Sequence, residues 1–205
     1  LREITDYRTA DMINLDVPEK NVRFLSYPPT IEQEEMIGRL VSFAGSGQWE
    51  DLGLDVPQPD NLDKAKMLVV TNVARKMALD MRLLGCKFKD DADNKASICA
   101  RTIYDYYIRS NDNRGTQFVF SDLGTYKPNE WNIYTDIKEK LVRLGIPADE
   151  IQFIQCATTE RTRKKLFEEM NNGKVRVLFG STTMLGTGVN AQQRAVAVHH
   201  LEIPW

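Results

Sequence analysis

The chain reads as an α/β protein, a mainly parallel sheet covered by helices and preceded by an α-rich segment. Three observations lead there. Short apolar runs such as "IQFIQC" and "VRVLF" lack polar alternation, as strands buried on both faces do. Stretches whose apolar residues step by three and four separate these runs, which is the helical period. The alternation begins near Lys95, whereas helical periods and polar connections dominate before it. Residues 1–94 are therefore read as a linker strand and α-rich segment, and 95–205 as the layer domain.

Composition sets the frame. The 205 residues, 42% of them hydrophobic, suffice for one large domain or a domain with a subdomain. A net charge of -2 gives no global attraction to nucleic acid, so any such contact rests on a local patch. Cys86, Cys99 and Cys156 are odd in number and widely spaced. That pattern fits reduced, buried thiols of a cytoplasmic protein better than a disulfide framework or a zinc site. No apolar run approaches a membrane span, and no signal-peptide pattern is present. The chain begins at Leu1 rather than Met and stops at "LEIPW" directly after a strand pattern, so it is expected to be part of a longer protein.

The elements follow in order. "NVRFLSY", Asn21 to Tyr27, alternates and predicts a strand closed by Pro28 and Pro29. Thr30 with Gln33 predicts a capping box for a helix whose apolar positions are Met36, Ile37, Leu40, Val41 and Ala44, ended by Gly45 and Gly47. Gln48 to Asn61 has no useful period and reads as a loop. A long helix is expected through Met67, Val70, Ala74, Met77, Met81 and Leu84, stopped by Gly85, with its methionines as core filler. Another helix is expected near Lys95 to Ser110. Strands then fall at 116–121, 151–156, 175–179 and 194–201. Helices fall between them at 130–144, with Trp131, Tyr134, Ile137, Leu141 and Leu144 on one face, and at 158–172.

The loop after the third strand, "GSTTMLGTGVNAQ", carries the glycines and hydroxyls that often meet phosphate. A Walker loop is excluded, because Gly186 is followed by Thr187 rather than by the Lys that reaches the β- and γ-phosphates. "GTGVNA" matches a dinucleotide fingerprint, with Glu202 placed for a ribose. Gly180 to Leu185, however, separate it from its strand, and only Asn190 to Arg194 lie before the next strand. A parallel crossover needs about a dozen residues.

With "VLFGSTTMLGTGVNAQQRAVAVHHLEIPW" the chain resembles the Snf-type branch of superfamily-two helicases. Ser181 and Thr182 match that family's Ser-Thr pair. Gly186, Gly188, Val189 and Asn190 match its Gly-x-Gly-hydrophobic-Asn turn, and Glu202, Pro204 and Trp205 match the end of the next strand. Leu185 departs, since a glycine is usual there. Upstream, "TQFVFSDLGT" resembles the strand ending in Phe-Ser, and "ATTERTRKKLFEEMNNG" the Thr-x-x-x-Arg helix with Arg163 in the Arg position. "INLDVPEKNVRFLSYPPTIEQEEMI" is similar to the linker after the first RecA-like domain. Within the branch, large bacterial helicase-methylase fusion proteins of mobile elements are the most similar.

That resemblance implies a RecA-like three-layer domain, the second of two, truncated before its last motif. It implies an ATP-dependent DNA helicase or translocase, a hydrolase, with ATP and Mg held mainly by an absent first RecA-like domain. It further implies DNA-backbone contacts from Ser121, Thr158, Thr159, Arg163, Ser181 and Thr182, and a cofactor-facing turn of Gly186, Gly188 and Asn190. Asn190 would bond the ATP ribose or position catalytic elements. The partners implied are the DNA backbone, the first RecA-like domain and a fused DNA methylase domain, with no membrane. No catalytic residue or metal ligand is assigned to this chain, and alone it is expected neither to hydrolyse ATP nor to bind it tightly. Physically, short hydroxyls can bond phosphate oxygens without reading bases. The alternative is a RecA-like module that has lost catalysis and serves as a DNA-binding or docking scaffold. Arg161, Arg163, Lys164 and Lys165 read either as a DNA-facing stripe or as a solvated helix face balanced by Glu160, Glu168 and Glu169. His199 and His200 point to opposite faces of a strand and cannot easily share a metal ion.

Overall fold

The structure, a computed structural model, describes residues 19–55, 58–186 and 188–202. Four strands form one all-parallel sheet in the order β2-β3-β1-β4. They are β1 (Thr116–Phe120), β2 (Ile151–Phe153), β3 (Val177–Gly180) and β4 (Ala195–His200). Among the described residues six helices accompany them: α1 (Ile31–Ser46), α2 (Leu62–Leu79), α3 (Lys95–Arg109), α4 (Ile133–Arg143), α5 (Glu160–Asn171) and the single-turn α6 (Thr182–Leu185). The fold is α/β in three layers, as the RecA-like reading requires, with an α-rich segment before it.

Strand periodicity explains the layers, because successive side chains point to opposite faces. Val119, Phe153, Val177 and Phe179 meet Ile103 of α3 and Tyr134, Ile137 and Leu141 of α4 in one core. Phe118 and Leu178 point the other way and meet Leu166 and Met170 of α5 and Leu185 of α6. A third core, Met36, Leu40, Phe43, Leu52, Val73, Met77, Met81 and Leu84, belongs to α1, α2 and the turns beside them. Each fully buried apolar side chain of this size contributes about 1.5–3 kcal/mol.

The predicted caps are present. Thr30 and Gln33 form the capping box of α1, and Gly47 closes it in the left-handed region. Several expectations need correction. Ile37 and Val41 are exposed; the buried stripe of α1 is Met36, Leu40 and Phe43. Asn21 to Tyr27 forms no strand: the segment carries no regular secondary structure, no described strand pairs with it, and Phe24 is 89% exposed. The loop 48–61 contains a 3-10 turn, Trp49–Leu52, whose Leu52 is fully buried. The long helix expected to run to Leu84 ends at Leu79, and a 3-10 turn, Met81–Leu84, follows. Asp80 breaks it by adopting an extended backbone and accepting the Arg82 N–H with its side chain. Trp131 lies outside α4, and the second strand stops at Phe153 before a 3-10 turn. Cys99 is buried as expected, but Cys86 and Cys156 are exposed.

A charge network joins the segments. Arg82 bonds Asp80 at 2.7 Å, Asp90 at 2.8 Å and Asp136 of α4 at 2.8 Å, while Lys140 pairs with Asp90 and Asp136. Burial works against the Arg82 charge, yet hydrogen bonds to Asp80 and Asp136 outweigh it and hold the guanidinium pKa above its ordinary value. The three carboxylates lie close enough to suggest a metal cluster, but each is already paired with Arg82, Lys140 or both. No helix among the described residues is long and apolar enough to cross a membrane.

Candidate functional site

In a parallel sheet, ligands bind outside the carboxyl ends of the strands, where neighbouring connections leave to opposite faces. Here that place lies between β1 and β3. After β1 the chain passes to α4 on one face, and after β3 it passes to α5's face through α6. Ser121 follows β1, and Ser181 and Thr182 follow β3. The two ends touch, because the Ser121 N–H donates to the Gly180 carbonyl at 3.3 Å. Thr158, Thr159 and Arg163 follow β2, the strand beside β3, so the topology gathers all the predicted nucleic-acid contacts at one edge.

Their side chains are not equally available. The Ser121 side chain is buried and its hydroxyl donates to the Leu123 carbonyl at 2.8 Å. Thr159 caps α5 in a reciprocal box with Thr162. Thr158 is exposed. Among the described residues no side-chain hydrogen bond holds the Ser181 or Thr182 hydroxyl, and both residues are half-buried. The Thr182 N–H is held, at 2.8 Å, by Asp122 Oδ1 across the crevice.

Beside the crevice lies a groove of about 560 Å³ between α5 and the glycine turn, lined by Glu160, Arg163, Lys164, Phe167, Glu168, Met184, Gly188 and Asn190. The structure thus brings Arg163, Gly188 and Asn190 together. Arg163 pairs with no carboxylate among the described residues; its Nε donates to the Ala157 carbonyl at 3.1 Å. Lys165 reaches Glu169 at 3.9 Å, so that part of the basic stripe is balanced, whereas Lys164 makes no ion pair among the described residues. The groove therefore holds two cations against two acids, and it suits a ligand carrying both charged and apolar parts. A smaller hollow of about 240 Å³ beside α1 lies on the α-rich segment, away from this edge.

Asn171, which sequence reasoning passed over, fixes the turn. Its amide donates to the Asn190 carbonyl at 2.9 Å, its side-chain oxygen accepts the Gln193 N–H at 3.2 Å, and its own carbonyl accepts Arg194 Nε at 3.0 Å. The paired asparagines ending "EEMNNG" were the only signal in the sequence. Glu202 was matched as the acid after the last strand and, in the dinucleotide reading, placed for a ribose. In fact it takes the backbone N–H groups of Asp122 and Leu123, both at 2.7 Å. His199 and His200 do face opposite ways: His199 meets Gln117 at 2.8 Å, and His200 stacks on Phe120.

The two glycines of the turn serve different ends. Gly188 has φ +72 with open space around it, so alanine there is strained only by its backbone. Gly186 has an ordinary φ, but a Cβ would lie 2.3 Å from the Thr182 carbonyl oxygen. Gly188→Ala is expected to cost about 1 kcal/mol and Gly186→Ala about 2 kcal/mol with displacement of α6. Urea melts check both, and equal costs would contradict the distinction.

No family model matches the chain, and neither a curated protein nor a solved structure does.

Proposed function

We propose that the chain is the second RecA-like half of an ATP-dependent DNA helicase or translocase, a cytoplasmic bacterial enzyme. It contacts the DNA backbone and completes an ATP site shared with a first RecA-like domain. One observation carries the reading: the hydroxyls of Ser181 and Thr182 stand at the switch-point crevice with no side-chain hydrogen bond among the described residues, and Met184 of the same short helix lines the groove of Gly188 and Asn190. Arg163 and Lys164 bring two cations to that groove, beside Glu160 and Glu168. Hydroxyls and cations at such an edge suit phosphate, which positions a nucleic acid without reading its sequence.

Gly188 and Asn190 fit the outer edge of a nucleotide, and Asn171 holds their turn in place. No described residues form a cradle for a triphosphate, and the Asp80, Asp90 and Asp136 carboxylates are committed to Arg82 and Lys140. ATP and Mg would therefore rest mainly on the first RecA-like domain, and a fused methylase remains a matter of resemblance. The catalytically degenerate scaffold is the second reading. It is favoured by the Ser121 hydroxyl and the Asp122 and Leu123 N–H groups all being spent internally.

DNA binding by fluorescence anisotropy, measured against salt, tests the reading. Ser181→Ala with Thr182→Ala is expected to weaken binding about tenfold, two phosphate hydrogen bonds' worth. The salt slope should stay unchanged, because hydroxyls release no counterions. Arg163→Ala is expected to lower the slope by about 0.9. A double variant that binds like the wild type removes the assigned role of the Ser-Thr pair.

A further inference from the structure

At the carboxyl ends of β1 and β4 the chain builds a seat for one oxyanion and fills it with its own carboxylate. Glu202 Oε1 accepts the N–H groups of Asp122 and Leu123, both at 2.7 Å, and lies 3.4 Å from the Ser121 hydroxyl. Its second oxygen accepts Arg75 Nη2, from α2, at 2.6 Å. Two adjacent main-chain N–H groups, a hydroxyl and a guanidinium are a donor set proteins use for phosphate. The Glu202 side chain keeps 12% exposure, so the seat opens to solvent on one side and is not sealed into a core. The neighbouring Thr182 N–H is likewise held by a carboxylate of the chain itself, Asp122. Main-chain donors on both sides of the β1 carboxyl end thus carry internal anions where the DNA-backbone reading places phosphates.

We infer that Glu202 is a gate on this seat, an inference that rests on the DNA-backbone reading. In the closed arrangement Glu202 holds the Asp122 and Leu123 N–H groups, and the Ser121 hydroxyl turns inward to Leu123. A phosphodiester of DNA takes the seat when Glu202 swings out, and Ser121 then turns to a phosphate oxygen. The exchange swaps one singly charged acceptor for another, so the donor set is satisfied in both arrangements. It also releases the Arg75 tie, so DNA engagement is coupled to how α2 is held against the sheet.

The test uses the whole 205-residue chain, a short duplex oligonucleotide and, separately, inorganic phosphate. Glu202→Ala is expected to tighten oligonucleotide binding about tenfold, the order of one charge-assisted hydrogen bond. The salt slope is expected to steepen by about 0.9, the increment of one further phosphate contact. By NMR, inorganic phosphate should move the Asp122 and Leu123 amide resonances in the variant but not in the wild type. Glu202→Gln leaves a neutral, weaker acceptor on the same two N–H groups, so should the alanine variant fail to fold it is expected to show the same changes in smaller degree. A folded variant with unchanged affinity and slope, and amides unmoved by phosphate, makes Glu202 a structural clamp and overturns the gate. Amides that respond to phosphate without any gain on DNA assign the seat to free phosphate and also overturn it. If no protein of the series binds DNA, the DNA-backbone reading falls and takes the gate with it.

Discussion

Arg176→Ala is expected to lose about 3–5 kcal/mol of stability, read as a drop in the urea midpoint. Arg176 is 0% exposed, one position before β3, in the floor of the layer domain. Its Nε donates to the Gly115 carbonyl at 2.6 Å, Nη2 to the Tyr107 carbonyl at 3.0 Å and to Ser110 Oγ at 3.2 Å, and Nη1 to Asn111 Oδ1 at 3.2 Å. The guanidinium also lies over the Tyr107 ring, 4.1 Å from its centroid. These acceptors gather around the C-terminus of α3, where carbonyls lack helical partners and a cation is favoured. Alanine would leave carbonyls buried without donors and a void beside Tyr107, and both effects destabilise. Arg176→Lys should rescue little, since one ammonium cannot span four acceptors in a planar fork. A lysine variant as stable as the wild type would show that charge alone matters. The site at the opposite ends of the strands would then be insulated from this floor.

Arg176 also shows what the sequence could and could not reveal. In "VRVLF" it stands inside a run read simply as a buried strand, yet its partners lie on α3 and its connection, far away in the chain. Apolar periodicity was enough to place the parallel sheet and the helices that cover it, because burial on both faces of a strand is a local pattern. Boundaries were less legible. The break at Asp80 depends on Arg82, whose further partner Asp136 sits on α4. The segment Asn21 to Tyr27 alternates like a strand, but a strand also needs a neighbouring edge, which alternation does not supply. At the site, the residue types and their order after β1, β2 and β3 were readable. The occupation of their donors was not: Glu202 over Asp122 and Leu123, and Asn171 beneath Asn190, are hydrogen bonds across long sequence separations.

Acidification is expected to destabilise the fold by about 3 kcal/mol through His199. Burial, with a smaller contribution from the His200 charge, pushes the His199 pKa from 6.5 down to about 4. Its ring meets Tyr106 edge-on, and its Nε2 is 2.8 Å from Gln117 Oε1. Gln117 spends its own amide on the Ile103 carbonyl at 3.0 Å, so its oxygen is the acceptor and His199 carries the proton on Nε2. Above pH 6.5 the imidazole is neutral in both states and pH leaves its contribution intact. Between 6.5 and about 4 the unfolded chain binds a proton that the native state refuses, so stability falls as pH falls. At about 1.36 kcal/mol per pH unit that window gives the stated loss. His200 is depressed in the same direction, first by burial and then by the charge of Lys20, and steepens the same slope. His199→Gln retains a donor for Gln117 and removes its titration, so the fall of the urea midpoint between pH 6.5 and 4 should shrink to the part that His200 contributes. Equal slopes in the two proteins would mean that His199 is solvated in the native state and that β4 does not hold it against α3.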